Sequence, residues 1–100
     1  MHKVEVNLDA AGTGSFFIAQ NNEQIALMDV AVKGRELTVY HTEVSPDHED
    51  QGLAKLLLTH MVEYAREEGL KVIPLCRFVL IQFKKNKEEY EDVWKHEEID

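Results

Sequence analysis

Three features of this chain have residue types and spacing that could do chemistry: His41 with Glu43, the thiol of Cys76, and the glycine junction Gln51-Gly52-Leu53-Ala54. An imidazole titrates near neutral pH, so His41 is a candidate general base, and Glu43 is a second one two positions along. Cys76 is followed by Arg77 at an expected helix start. A helix N-terminus and a guanidinium both favour thiolate, which makes Cys76 a candidate nucleophile or acid. The other reading of Cys76 is a small buried hydrophobe, the usual role of a lone thiol in an apolar strand. At Gly52 a strand passes through a polar loop into a helix. Such a junction turns unpaired N–H groups and positive helix dipole outward, which suits an anion.

These residues need elements to hold them. The first 44 residues read as four strands joined by turns: Val4–Leu8, Ser15–Gln20, Gln24–Val32 and Glu36–Val44, with Asn21-Asn22 and Lys33-Gly34-Arg35 as turn signals. Short connections imply an antiparallel meander. Strict alternation along the fourth strand puts Leu37, Val39, His41 and Glu43 on one face and Thr38, Tyr40, Thr42 and Val44 on the other. Ser45 precedes Pro46 and stays extended. A helix is then predicted from Gly52 to Glu68, stopped by Gly69 and buried along Leu53, Leu56, Leu57, Met61, Tyr64 and Ala65. His60 falls at the edge of that stripe, packed or half-exposed. Lys71–Cys76 is predicted as a fifth strand, parallel to the fourth, with pairing failing near Pro74 because proline has no N–H. Arg77–Lys85 is a second helix with Phe78 and Ile81 inward, joined by Leu80 or Val79. Tyr90, Val93 and Trp94 dock the tail.

One hundred residues with 44% hydrophobic and 30% charged side chains make one soluble domain, residues 1–100. The formal net charge of −8 argues against nucleic acid or an anionic membrane surface as partner. One cysteine permits no internal disulfide, no apolar run reaches a membrane span, and Met-His-Lys-Val-Glu-Val lacks a signal-peptide layout. The expected location is cytoplasmic. Five basic residues and no acidic one lie between Lys71 and Lys87, followed by seven acidic residues from Glu88 to Asp100. The histidines show no metal-ligand spacing, so no metal is expected.

The order of elements, with His41-Thr-Glu-Val, Gln51-Gly-Leu-Ala-Lys-Leu-Leu, Tyr64-Ala-Arg-Glu-Glu-Gly-Leu-Lys-Val-Ile-Pro-Leu-Cys, Phe78 and Tyr90, resembles the GNAT acetyltransferase superfamily, in particular its short single-domain members. The resemblance covers nearly the whole chain. It implies an α/β fold with a mixed sheet, acetyl-coenzyme A as cofactor, and transfer of the acetyl group to an amine acceptor that is not identified. It implies that the pyrophosphate sits on backbone N–H groups of the loop, here Gln51, Gly52, Leu53, Ala54 and Lys55. It also places a donor to the thioester carbonyl around Val44 and puts Lys84 and Lys85 within reach of the 3′-phosphate of coenzyme A.

The family usually protonates its leaving thiolate with a tyrosine; this chain offers Cys76, as acid or as an acetyl-accepting nucleophile, with His41 and Glu43 as bases. The loop departs from the family pattern Arg/Gln-x-x-Gly-x-Gly/Ala, because Glu49 and Asp50 bring negative charge to a phosphate site. Asp50 is a candidate cap for the helix, competing for the same N–H groups. A second reading follows, a coenzyme A-binding or protein-interaction module with little turnover. The oligomeric expectation is a monomer or weak homodimer.

Overall fold

A computed structural model describes residues 2–96. Five strands form one sheet in sequence order: β1 (Val4–Leu8), β2 (Thr13–Gln20), β3 (Glu23–Lys33), β4 (Glu36–Val44) and β5 (Lys71–Pro74). The first four are antiparallel and β5 lies parallel to β4. This is the expected mixed sheet. Asn21 and Asn22, both at positive φ, make the two-residue turn between β2 and β3, a conformation asparagine tolerates.

Helix α1 (Leu53–Glu68) makes the crossover from β4 to β5. Leu53, Leu57, Leu58, Met61, Val62 and Ala65 are buried against Phe16, Ile18, Met28, Val30, Leu37, Val39 and Val72 of the sheet. Leu58 and Val62 widen the expected stripe, while Leu56 and Tyr64 sit at its half-buried margin. His60 is exposed, one step further out than expected. Gly69 ends the helix at φ 70°, where its N–H reaches back to Ala65 and Arg66 carbonyls.

Helix α2 (Arg77–Lys85) buries Val79 and Phe83. Phe78 is half-buried and packs against the core as expected, while Ile81 is 38% exposed, so its inward placement is corrected. The working stripe is Cys76, Val79 and Phe83, at i, i+3 and i+7. Phe83 fixes this rotation by stacking on Tyr90 at 4.7 Å and meeting Trp94 at 5.7 Å. A single turn, α3 (Lys87–Tyr90), follows. The chain then runs beside β5, with Val72 N–H donating to Val93 O (2.6 Å) and Lys95 N–H to Val72 O (2.9 Å). Tyr90 and Val93 are buried, as expected of the docked tail. Arg66 of α1 clamps it by donating to Asp92 Oδ2 at 2.8 Å and to Glu89 O at 2.7 Å. Glu97, Glu98 and Asp100 of the acidic tail lie outside the described residues. No described helix is long and apolar enough to cross a membrane.

Candidate functional site

Two irregularities at the β4–β5 boundary shape the site. The first is a bulge in β4. Asp29 of β3 pairs with His41 but the next residue, Val30, pairs with Val39, so Tyr40 is an extra residue. An added residue reverses the parity of everything beyond it. Leu37 and Val39 point into the core, and past the bulge Thr42 and Val44 take over that face, opposite Met28 and Ala26. His41 and Glu43 are turned to the other face, exposed by 59% and 63%. The single face expected for Leu37, Val39, His41 and Glu43 is therefore corrected.

The second irregularity is the early end of β5. Its last pair is Val39↔Pro74, and the strand stops there rather than at Cys76. Proline offers no ladder donor, and Leu75 folds back in a tight turn to Ile73 O. The last five residues of β4 therefore run on without β5 beside them. Ser45 N–H is taken by Ile25 O of β3 at 2.8 Å. Backbone direction alternates along an antiparallel pair, so the Val44 N–H faces away from β3, toward the edge that β5 has left.

Cys76 sits at the base of this opening. It is extended, precedes α2, is 6% exposed, and its N–H donates to Val39 O at 2.9 Å. Its Sγ lies 3.3 Å from Thr42 Oγ1, a hydrogen bond in which either group can donate. His41 Nε2 and Glu43 Oε1 are 3.2 Å apart on the opposite face. The structure thus joins His41 to Glu43 and separates both from Cys76. Thr42, which sequence reasoning assigned no role, is the partner of the thiol. One signal pointed to it: the apolar residues of β4 change parity between Val39 and Val44, and an apolar parity switch within one strand requires a bulge.

Pro46–Gln51, read as a polar loop, is a short 3-10 helix that leads into α1. Gly52 links the two at φ 70° and ψ 25°. This left-handed conformation is open to glycine and costly for a residue with a Cβ. No side chain caps α1, so the expectation that Asp50 caps it is corrected. The first intrahelical bond is Leu56 N–H to Gly52 O, which leaves the N–H groups of Leu53, Ala54 and Lys55 without helical acceptors. No acidic side chain lies in the first turn of α1, and Glu49 and Asp50 are exposed. Leu53 is buried, so only its backbone can meet a ligand. Gln51 Oε1 is 3.1 Å from His2 Nε2. His48 carries a buried Nδ1 without a partner.

Lys84 and Lys85 are not brought to this junction. Helix α2 starts just after Cys76, which is beside Val39, and ends near Trp94, which lies next to Val72. Both lysines are exposed at that far end, toward the start of β4, whereas Gly52 follows its end.

Residues 15–93 match the family model described as GCN5-related N-acetyl-transferase. Human N-acetyltransferase 8 is 27% identical over 96 residues, a match covering 79% of this chain and 42% of that protein. A GCN5-like putative N-acetyltransferase from Staphylococcus aureus, solved by NMR, is 32% identical with a TM-score of 0.68, covering 94% of this chain and 90% of that one. The ribosomal-protein-S18-alanine N-acetyltransferase of Escherichia coli is 26% identical with a TM-score of 0.58, covering 64% of this chain and 42% of that one. The chain thus spans under half the length of the human and E. coli proteins.

Proposed function

As the chain belongs to the GCN5-related N-acetyltransferase family, we propose that it transfers an acetyl group from acetyl-coenzyme A to an amine where β4 and β5 part. One observation carries this reading: β4 continues five residues beyond its last pair with β5, with the Val44 N–H facing the opened edge and the uncapped Gly52 junction following it. Acetyl-coenzyme A would supply an activated acyl thioester. The N–H groups of Leu53, Ala54 and Lys55 would hold its pyrophosphate, with Gly52 giving the close backbone approach and Gln51 beside it. Lys84 and Lys85, at the other end of α2, would meet only an outlying phosphate such as the 3′-phosphate.

Val44 N–H would donate to the thioester carbonyl and stabilise the charge that develops there. His41 would take the proton of the attacking amine, directly or through water, and Glu43, 3.2 Å from its ring, would orient it. Cys76 would give its thiol proton to the departing thiolate as the carbon–sulfur bond breaks, and would regain a proton from solvent as the one taken from the amine is released. Thr42 Oγ1 holds that thiol in place. Base and acid on opposite faces of the sheet fit direct transfer, with the amine arriving on one side and the thioester on the other. An acetyl-Cys76 route would require the amine to reach a thiol on the face opposite His41 and Glu43.

The net charge of −8 and the single cysteine support a cytoplasmic protein with a cationic acceptor, rather than one acting on nucleic acid or a membrane. Calorimetric titration with acetyl-coenzyme A and coenzyme A, beside Gly52→Asp, tests the reading. Micromolar binding that the variant abolishes is expected. No heat and no thermal shift at millimolar cofactor would sink it. The exposed carboxylates of Glu49 and Asp50 favour one other reading, a coenzyme A-binding module without turnover. That outcome would show as binding with no product from any amine.

A further inference from the structure

The two edges of the sheet end differently. Beyond β5 the chain from Val93 to Lys95 closes the edge, accepting the Val72 N–H and donating to the Val72 carbonyl. At the other edge β1 pairs with β2 alone, and its outer row of N–H and C=O groups meets no other strand among the described residues. Such a row is a template for one more strand. Along this edge β1 and α1 stand apart and leave a groove. Val4, Val6, Phe16 and Tyr64 make its apolar lining, and the edge-on packing of Phe16 on Tyr64, 5.4 Å between rings, holds the floor. Val6 is the cross-strand partner of buried Phe16, yet it is 44% exposed.

The rim of the groove is acidic. Glu63 and Glu67, with His60, line it from α1, and Glu5 lines it from β1. Glu63 and Glu67 are one helical turn apart, where like charges repel. None of the three glutamates is in an ion pair among the described residues, and no lysine or arginine lines the groove. An apolar floor under unpaired carboxylates, beside an open strand edge, suits extended backbone that carries cationic side chains. A second copy of this chain suits it poorly, because pairing β1 with β1 would bring two acidic rims together on molecules of net charge −8.

We propose that the β1 edge and its groove dock an extended segment of a partner protein, bearing lysine or arginine, as an added strand of the sheet. Main-chain hydrogen bonds to β1 set its register, and alternate side chains of the segment fall over the groove. An apolar one covers Val6, and a cationic one two positions away meets Glu63 and Glu67. The surface is separated from the β4–β5 opening by β2 and β3, so it stands independently of the transferase reading.

The test uses the full chain and a blocked peptide, acetyl-Lys-Thr-Val-Thr-Lys-amide, whose lysines and valine share one face of a strand. Titration followed by amide NMR is expected to shift Val4, Glu5, Val6, Glu63 and Glu67, and to slow hydrogen exchange along β1. Glu63→Gln and Glu67→Gln, both at exposed positions of α1, should each weaken binding about threefold. The same peptide with Glu in place of Lys, or N-methylated at every residue, should show no binding at the same concentration. No shift at millimolar peptide, shifts centred away from β1, or affinity unmoved by both glutamine variants overturns the proposal. Spermidine that shifts the same residues as strongly as the peptide would overturn it too, by showing a charged patch that needs no strand. So would β1 shifts that depend on protein concentration without peptide, because a second copy would then hold the edge.

Discussion

Gly52→Ala, set beside Gly69→Ala, separates the conformational use of a glycine from its use in binding. Both residues sit at φ 70°, at opposite ends of α1, and a Cβ built on either meets nothing within 4 Å. Each alanine therefore costs the left-handed conformation alone, about 1 kcal/mol, with no steric term. For a domain of this size that is about 4–8 °C in melting temperature. Urea or thermal denaturation should give two nearly equal losses. Acetyl-coenzyme A titration should then divide the pair. Gly69→Ala binds as wild type, because its helix end carries no proposed contact. Gly52→Ala adds a methyl where a phosphate is to approach the backbone, and it should lose at least tenfold in affinity, on the order of 1.4 kcal/mol beyond its stability cost. Equal affinity in both variants would refute a pyrophosphate on the Gly52 junction. Equal loss in both would show that affinity follows global stability instead.

Other outcomes follow from the same geometry. His41→Gln should lower turnover by about 10²–10⁴ and leave cofactor binding intact. Thr42→Val keeps shape and removes the hydroxyl 3.3 Å from Cys76; it should lower turnover less than Cys76→Ala does, and a double variant no worse than Cys76→Ala would tie the two to one function. Phe83→Ala empties a fully buried site against Tyr90 and Trp94, so it should cost about 3–5 kcal/mol in denaturant titration. Asp92 is held below its ordinary carboxylate value chiefly by the hydrogen bond from Arg66, with burial opposing the shift and the Arg66 charge adding to it. Its folded pKa is lower than its unfolded one, so the pair stabilises at neutral pH and fades as pH falls through and below the usual aspartate value. For a pair this exposed the contribution is about 0.5 kcal/mol, and Asp92→Asn should lose it at pH 7 and match wild type in acid.

Most of the architecture was legible because it rests on local signals. The Asn21-Asn22 turn, the Ser45-Pro46 delay, the Gly69 stop and the Pro74 strand end each follow from what one residue's backbone can do. The errors have a different origin. The rotation of α2 depends on Phe83 meeting Tyr90 and Trp94, a contact between elements that no window of sequence contains. Alternation failed in β4 because the pairing partner, β3, decides where the extra residue goes. Of the candidate site, the neighbourhood of His41 and Glu43 at the end of β4 was legible, and the two lie 3.2 Å apart there. The division into two faces was not, because parity propagates and one inserted residue reassigns every side chain after it.

The bulge and the short β5 are best understood as one device. Without Tyr40 as an extra residue, His41 and Glu43 would follow Leu37 and Val39 into the core, where two ionisable groups would need partners that an apolar interior lacks. With it, the pair stands in solvent and Thr42 and Val44 close the core in its place. Had β5 run to Cys76 in register, the Val44 N–H would still face its edge, but the Thr42 backbone would be drawn toward a ladder and the thiol would lie within the sheet. Ending β5 at Pro74 instead sends Cys76 to the start of α2 while its N–H still anchors it to Val39. One proline and one inserted tyrosine thereby place an imidazole and a thiol on opposite sides of an opening that neither strand pairing nor core packing requires. That costs ladder bonds and leaves Tyr40 and Leu75 exposed, which a domain shaped by stability alone has no reason to accept.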